Sequence, residues 1–310
     1  MKHIFVANPS AGPKNSVAEI RALVEARKAK TGEDIEVYET KDRRDATAFV
    51  KEYCAAHPDE KVRFYACGGD GTLNEVANGA AYAPNAEVGC YACGSGNDFV
   101  KVFGGKEKFL DLDALIEGEA ITIDLMESAG KYSINATHFG FDTAVARTMA
   151  AVKYKKFIGG KNAYTTGVVK ALFTALRNRC TVTVDGEKLG DGKMTLCTVA
   201  NGQYVGGSYR CAPRSHPDDG ELEVCFVRPV SIFNFVRLMN AYKNGDHLND
   251  PRFVKYIEYR RGKNIHVEGP EGFAFSLDGE VVEVNDFHTK ICPGALRFVL
   301  PKGAEFIGNR

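Results

Sequence analysis

The residues best suited to chemistry lie in a glycine-rich turn within residues 62–81, whose sequence is V-R-F-Y-A-C-G-G-D-G-T-L-N-E-V-A-N-G-A-A. The apolar run Val62–Cys67 predicts a strand, and the turn Gly68-Gly69-Asp70-Gly71 separates it from a helix predicted to begin at Leu73. Glycines let the backbone adopt positive φ and approach a bulky anion. The unpaired N–H groups and the dipole at a helix N-terminus favour negative charge. The stretch therefore predicts a phosphate-binding turn.

A carboxylate at the mouth of this turn changes the chemistry expected of it. Asp70 has no packing role there, and phosphate would be repelled by it unless a metal ion bridges the two. Asp70 therefore indicates magnesium-bound nucleotide rather than a bare anion. Thr72 and Glu75 also have the Thr-x-x-Glu spacing of a capping box, so the same residues fit a helix that is merely well capped.

The elements around this turn alternate between strand and helix in the first third of the chain. The predicted strands are His3–Ala7, Ile35–Tyr38, Val62–Cys67, Val88–Tyr91 and Ile121–Leu125. Such alternation predicts an α/β fold with a parallel sheet covered on both faces, whose ligands sit beyond the carboxyl ends of the strands. Three polar, glycine-bearing loops fall at that edge: Asn8–Gly12, Gly68–Gly71 and Gly94–Asp98.

Beyond about Met126, many short strand patterns separated by Asp-Gly turns predict a second domain, an antiparallel β-sandwich. Val254–Tyr259 is among these predicted strands, and two helices are predicted at 163–178 and Ser231–Tyr242. We therefore expect a nucleotide-binding domain at 1–127 and a β-rich substrate domain at 128–296. The last segment, 297–310, could pack with either of these two domains.

Composition excludes several classes of protein. Lys and Arg number 40, as do Asp and Glu, so the net charge gives no indication of nucleic acid binding. No run reaches the roughly 20 apolar residues of a membrane span, and the apolar start before Pro9 is too short for a signal peptide. The nine cysteines are scattered and odd in number, which suggests reduced thiols in a cytoplasm, and the single pair Cys90–Cys93 lacks the second pair of a zinc site.

A basic segment in the second domain has two interpretations. From Thr143 to Val184 there is no Asp or Glu, whereas basic and apolar residues alternate through Arg147–Arg179. This pattern suits an anionic membrane surface. It equally suits a solvated basic face over an ordinary core helix.

Other nucleotide sites are excluded by their motifs. No Gly-Lys pair is followed by Ser or Thr, so the chain has no P-loop. The G-x-G-x-x-G of a dinucleotide site is absent after the first strand, and so are the H-R-D and D-F-G of protein kinases.

The ordered series of motifs resembles the diacylglycerol kinase catalytic family, which includes bacterial diacylglycerol and lipid kinases and the sphingosine and ceramide kinases. The resemblance covers nearly the whole chain. The motifs that resemble those of the family are N-P-S-A-G at 8–12, G-G-D-G-T-L-N-E at 68–75, G-S-G-N-D-F at 94–99, G-F-D at 140–142, D-D-G-E-L at 218–222 and D-G-E at 278–280. The chain departs from the family at Ser95, where Thr is usual, and at Lys101, where Arg is usual.

The resemblance implies an ATP-dependent lipid kinase that passes the γ-phosphoryl group of Mg·ATP to a lipid hydroxyl, with diacylglycerol the first choice of acceptor. It implies Glu280 as the base, with Asp278 either as the alternative base or as a group that orients it. Asp70 is expected to hold Mg²⁺. Asp98 either joins the magnesium–water network or caps the helix that follows it. The residues expected along the nucleotide are Asn8, Pro9, Ser10, Ala11, Gly12, Lys14, Thr40, Gly68, Gly69, Asp70, Gly71, Thr72, Leu73, Asn74, Glu75, Ser95, Asn97, Asp98 and Lys101.

In bacterial members of this family a second, structural Mg²⁺ sits in the D-D-G loop. Carried over, Asp219 would bind it by its carboxylate, His216 and Glu221 by their carbonyls, and Asp218 through water. The expected partners are a lipid substrate and a membrane surface that the protein contacts peripherally, with no nucleic acid, and the sequence leaves open whether the protein forms a homodimer. Two other functions share the G-G-D-G-T motif or the fold: a soluble-metabolite kinase of the NAD kinase type, and a non-catalytic nucleotide-binding regulator.

Overall fold

The structure is a computed structural model. It describes residues 1–13, 15–140, 143, 178–278 and 280–307, and for Glu280 it describes the backbone alone. All but the last residue of the predicted helix at 163–178, and nearly all of the basic segment 147–179, lie outside the described residues.

The N-terminal part alternates strands and helices as predicted. Its strands are β1 (Lys2–Ala7), β2 (Ile35–Glu39), β3 (Val62–Cys67) and β4 (Ala86–Tyr91), which pair in parallel in the order β2-β1-β3-β4. Its helices are α1 (Ser16–Thr31), α2 (Asp45–Ala56), α3 (Asp70–Ala80) and α4 (Leu112–Ile116), with 3-10 turns at Phe99–Phe103 and Lys106–Leu110. β1 and β3 are almost wholly buried and rich in apolar residues, which is typical of parallel strands covered on both faces.

The last strand, β18 (Asp286–Leu300), joins the two halves of the molecule. Its C-terminal part pairs with β4 at Phe298. From Lys290 to Leu300 it runs antiparallel to β5 (Glu119–Ser128), which also pairs antiparallel with β6 (Lys131–Ser133). The N-terminal part of β18 pairs with β15 (Asn264–Glu268), which carries β9 (Thr181–Val184) and β10 (Glu187–Leu189). One sheet therefore runs from the N-terminal domain into the second.

A six-stranded antiparallel sheet completes the second domain. Its order is β14-β13-β12-β7-β16-β17, formed by β7 (Ala136–Gly140), β12 (Leu196–Ala200), β13 (Leu222–Val227), β14 (Ile257–Gly262), β16 (Ala274–Leu277) and β17 (Glu280–Glu283). The short strands β8 (Asn178–Arg179) and β11 (Lys193–Met194) form a separate pair. Apolar side chains from the two large sheets form one hydrophobic core. Helix α5 (Ile232–Asn244) packs against the six-stranded sheet and forms a second hydrophobic core with it. The predicted α/β fold with a β-sandwich second domain is confirmed.

Two local predictions are wrong. Val254–Tyr259 is not one strand, because Val254–Tyr256 forms a 3-10 turn and β14 begins only at Ile257. The helix predicted from Leu73 begins three residues earlier, at Asp70. All nine cysteines lie in the described part of the chain and are free thiols. Among the described residues, no helix combines the length and apolar character that crossing a membrane requires.

Candidate active site

Three loops meet at the carboxyl edge of the parallel sheet, as the sequence predicts. The N–H of Asn8 donates to the carbonyl of Cys67 at 3.1 Å, and the N–H of Gly94 donates to the carbonyl of Gly68 at 2.9 Å. A Cβ atom on Gly94 would lie only 2.3 Å from the Cα of Gly69. The two glycine turns therefore pack backbone against backbone, which no larger residue at position 94 permits.

The start of α3 differs from the predicted capping box. Gly69 occupies the N-cap position in an extended conformation, and no side chain caps the helix. Thr72 lies inside the first turn, where its Oγ1 accepts a hydrogen bond from Asn8 Nδ2 at 3.1 Å. The capping-box prediction is wrong because glycine allows the helix to begin before Thr72. The first-turn N–H groups are thus left for an anion, and a Cβ on the exposed Gly71 would meet no atom within 4 Å.

Asp70 lies where these loops meet. Its Oδ1 accepts from the backbone N–H of Asp98 at 2.6 Å, and a Cβ on Gly96 would come within 2.4 Å of Oδ2. Burial, reinforced by the negative charge of Asp98, raises the pKa of Asp70 to about 6. A half-buried carboxylate next to a second one suits a cation with oxygen ligands, and this donor set fits magnesium.

Asp98 connects the nucleotide-binding loops to the second domain. Its two carboxylate oxygens accept from the N–H of Gly207 at 3.1 and 3.0 Å, and it forms an ion pair with Lys101, whose ammonium also donates to the Gly207 carbonyl at 2.6 Å. No side-chain capping bond forms at the 3-10 turn that follows, so the cap interpretation of Asp98 is wrong. Lys101, expected along the nucleotide, therefore has its ammonium between Asp98 and the backbone of Gly207.

Asp278 comes from the second domain and reaches α3. Its Oδ2 accepts from Asn74 Nδ2 at 2.5 Å and from the Ile134 N–H at 3.0 Å, while Oδ1 accepts from the Ala136 N–H at 2.9 Å. Burial raises its pKa despite these bonds. Because both oxygens already hold donors, the geometry favours Asp278 as the orienting group over Asp278 as the base.

Glu280 follows this turn by two residues. It opens β17 and pairs with Leu277 of β16, but its side chain and all of Gly279 lie outside the described residues. The turn is nevertheless fixed to α3 through Asp278 and Asn74, and the charge of Asp278 contributes to the raised pKa of Asp70. Asp278, two residues before Glu280, therefore lies against α3 close to Asp70.

The other residues predicted along the nucleotide divide into two groups. Asn8, Ser10 and Asn97 line the loops: the Ser10 N–H donates to Asn8 Oδ1 at 2.9 Å, and Asn97 Nδ2 donates to the Gly68 carbonyl at 2.9 Å. The positions that share this edge are Pro9, Ala11, Gly12, Thr40 and Ser95, while Lys14 lies outside the described residues.

Leu73, Asn74 and Glu75 belong to the second group, beyond the anion-facing turn. Leu73 is buried in the core of the N-terminal domain, so its assignment to the nucleotide is wrong. Asn74 serves Asp278 and the Tyr132 carbonyl.

The loop predicted to hold a structural Mg²⁺ is occupied by an arginine. Arg261 forms ion pairs with Asp219 and, at 3.0 Å, with Glu221, while the ring of His216 packs on Phe306. Within the described ranges, the side chains of His216, Asp218, Asp219 and Glu221 do not form a cluster of ligand atoms. The structural Mg²⁺ site stays a prediction, with the Asp219 carboxylate, the carbonyls of His216 and Glu221, and Asp218 acting through water.

A buried carboxylate that the sequence analysis missed holds this loop in place. Asp124 in β5 accepts from the Gly220 N–H at 2.7 Å through Oδ2 and from the Gly294 N–H at 2.8 Å through Oδ1, and its own N–H donates to the Pro217 carbonyl at 2.6 Å. The signal was available, because Asp124 is the one carboxylate within the predicted strand Ile121–Leu125.

Comparisons with known proteins agree with this arrangement. The family model "Diacylglycerol kinase catalytic domain" matches residues 2–128, and "YegS C-terminal NAD kinase beta sandwich-like domain" matches residues 135–300. A probable lipid kinase, YegS-like, from Pseudomonas aeruginosa is 30% identical, covering 93% of this chain and 92% of its own. A diacylglycerol kinase from Bacillus subtilis is 29% identical over 89% of this chain and 88% of its own.

A solved structure shows the same fold over the full length. The crystal structure of a diacylglycerol kinase from Bacillus anthracis superposes with a TM-score of 0.70 at 20% identity, covering 98% of each chain. The matches to both halves of the molecule, together with the glycine loops around Asp70, show that the chain belongs to the diacylglycerol kinase catalytic family, with the YegS-like lipid kinases among its relatives.

Proposed function

We propose that this protein transfers the γ-phosphoryl group of ATP to the hydroxyl of a membrane lipid, with diacylglycerol as the acceptor and phosphatidic acid as the product. The observation that carries the proposal is the contact between the two domains at α3. There, Asn74, four residues after Asp70, holds Asp278, two residues before Glu280. This contact supports the proposal because it holds Asp278, two residues before Glu280, against the helix that begins at Asp70.

The residues divide the work of phosphoryl transfer between them. The open first turn of α3 binds phosphate through its N–H groups, and Asp70 would hold Mg²⁺, which supplies charge neutralisation at the phosphates. The acceptor oxygen attacks the γ-phosphorus, the bond from that phosphorus to the β–γ bridging oxygen breaks, and ADP leaves. Glu280 takes the proton of the acceptor hydroxyl as general base, while Asp278 fixes the turn that carries it.

Membrane contact follows from the nature of the acceptor. Besides the basic segment 147–179, α5 presents an apolar surface formed by Ile232, Phe233 and Val236, and Phe233 is 69% exposed. The Arg237 guanidinium lies over the Phe233 ring at 5.3 Å, and residues 228–244 contain no Asp or Glu. An apolar patch bordered by cations suits an anionic lipid surface. The fraction of protein that sediments with phosphatidylglycerol vesicles should fall at least threefold in the double variant Phe233→Ser, Val236→Ser. An unchanged fraction would exclude this surface as the membrane contact.

The acceptor is identified by a transfer assay with γ-labelled ATP. The protein is mixed in parallel with diacylglycerol, ceramide and a sphingoid base in mixed micelles, and with NAD in buffer. Label in phosphatidic acid is the expected result. Label in NADP alone would replace the lipid kinase with a soluble-metabolite kinase. ATP binding without transfer to any acceptor would favour a nucleotide-binding regulator.

A further inference from the structure

A group of metal-ligand side chains lies far along the chain from the cleft, on the ribbon formed by β15 and β18. His266 of β15 pairs directly with His288 of β18, and Asp286 precedes His288 by two residues. Because side chains alternate along a strand, all three project from one face of the sheet. His266 is half-buried, and the other two are exposed.

Both imidazoles turn the same nitrogen toward one carboxylate oxygen. The Nε2 of His266 lies 2.8 Å from Asp286 Oδ1, and the Nε2 of His288 lies 3.2 Å from that same atom. The two rings are stacked, with centroids 4.0 Å apart and planes within 6°. A single hydrogen bond between His266 and Asp286 accounts for the first contact. It does not account for the second ring facing the same oxygen.

The separations of the donor atoms match those of ligands around a small metal ion, and the exposed His288 ring would have to tilt out of its stack on His266 to direct its nitrogen at the same ion. Zinc–ligand bonds of about 2.0–2.2 Å place tetrahedral ligands roughly 3.4 Å apart. The three donor atoms here all lie within 4.8 Å of one another, and two of the separations are 2.8 and 3.2 Å. Two imidazole nitrogens and one carboxylate oxygen favour zinc and its neighbours over magnesium or calcium, which prefer oxygen alone.

The surroundings of the group favour a cation. Glu268 stands opposite Asp286 in the pairing of the two strands, so the patch carries a second carboxylate beside the first. Lys290, the nearest lysine along β18, forms an ion pair with Glu127 at 3.6 Å. We propose that His266, Asp286 and His288 bind one divalent transition-metal ion, zinc by preference, with water completing the coordination. Such an ion would join β15 to β18, the strand that also pairs with the N-terminal sheet.

The test is zinc titration of tag-free, full-length protein by calorimetry in the presence of a non-thiol reductant. One zinc equivalent is expected in the wild type, with affinity reduced at least tenfold in His266→Ala and in His288→Ala. His57→Ala is the matched control, because His57 is an exposed histidine directly after α2 whose ring packs on Tyr53. Equal zinc binding by all three variants, or no binding by the wild type, would overturn the proposal.

Two further measurements keep the result interpretable. Thermal unfolding in EDTA should be the same for the wild type and the two histidine variants, which separates ligand loss from misfolding. Zinc X-ray absorption of the one-to-one complex should be fitted by nitrogen and oxygen neighbours only. A sulfur neighbour would assign the ion to one of the nine cysteines and refute the site.

Discussion

Replacement of Asp70 by Asn should abolish activity and yet stabilise the fold. In the folded protein, burial and the charge of Asp98 raise the pKa of Asp70 to about 6, whereas an unfolded Asp titrates near ~3.9. Ionised Asp70 therefore costs folded-state stability at neutral pH. The cost is fully present above the folded pKa and disappears as the pH falls from about 6 toward 4.

The size of the effect follows from the difference in pKa. Roughly two pKa units correspond to about 3 kcal/mol, which partial exposure of the side chain reduces to about 1–2 kcal/mol. Asn keeps the shape of the side chain and an oxygen for the Asp98 N–H but carries no charge. We expect Asp70→Asn to raise the melting temperature by about 2–4 °C at pH 7.5, and the gain to fall to about half at pH 5.

The assay is thermal unfolding in EDTA without nucleotide, so that no cation offsets the charge. Asp59→Asn is the control, because Asp59 is an exposed carboxylate, and it should leave the melting temperature unchanged at both pH values. Phosphoryl transfer by Asp70→Asn should fall at least a hundredfold. A variant that is less stable than the wild type at pH 7.5, or a gain that does not shrink at pH 5, would refute the electrostatic reasoning.

Three further perturbations test the supporting geometry. Gly94→Ala would bring a Cβ within 2.3 Å of Gly69 Cα, so the two glycine turns must separate. The KM for ATP should therefore rise at least tenfold, and an unchanged KM would show that ATP binding does not need the close packing of these turns. Asp278→Ala leaves two backbone N–H groups and the Asn74 amide without their acceptor, and urea unfolding should show a loss of about 2–4 kcal/mol together with reduced kcat. Asp124→Ala removes the acceptor of two glycine N–H groups, and should cost about 2–3 kcal/mol by the same measurement; equal stability would make that carboxylate dispensable.

The sequence predicted the elements whose signals are local. Strand–helix alternation identified the parallel sheet, and the glycine turns identified its functional edge, because glycine spacing and apolar periodicity are visible without tertiary information. The helix start at Asp70 was predicted at Leu73 because the Thr72–Glu75 spacing competed with Gly69 for the cap position. Propensity alone does not decide between two acceptable caps.

The contacts that connect distant segments were beyond sequence analysis. Asp98 was expected to join a magnesium–water network or to cap a helix, and no sequence signal showed that it also accepts from the N–H of Gly207, more than a hundred residues away. Arg261, which neutralises Asp219, has no motif that marks it. The first contact depends on how the two domains meet, and the second on the pairing of β13 with β14. Neither arrangement is specified by a local signal in the sequence.

The most direct test of the account compares Glu280→Gln with Glu283→Gln, a matched change at the exposed other end of β17. ATP affinity and the single-turnover rate of phosphoryl transfer to diacylglycerol are measured for both. We predict that both variants bind ATP as the wild type does, that Glu283→Gln transfers at the wild-type rate, and that Glu280→Gln transfers at least a hundredfold more slowly. Transfer by Glu280→Gln at the wild-type rate would contradict the claim that a carboxylate of the second domain serves the nucleotide bound at Asp70.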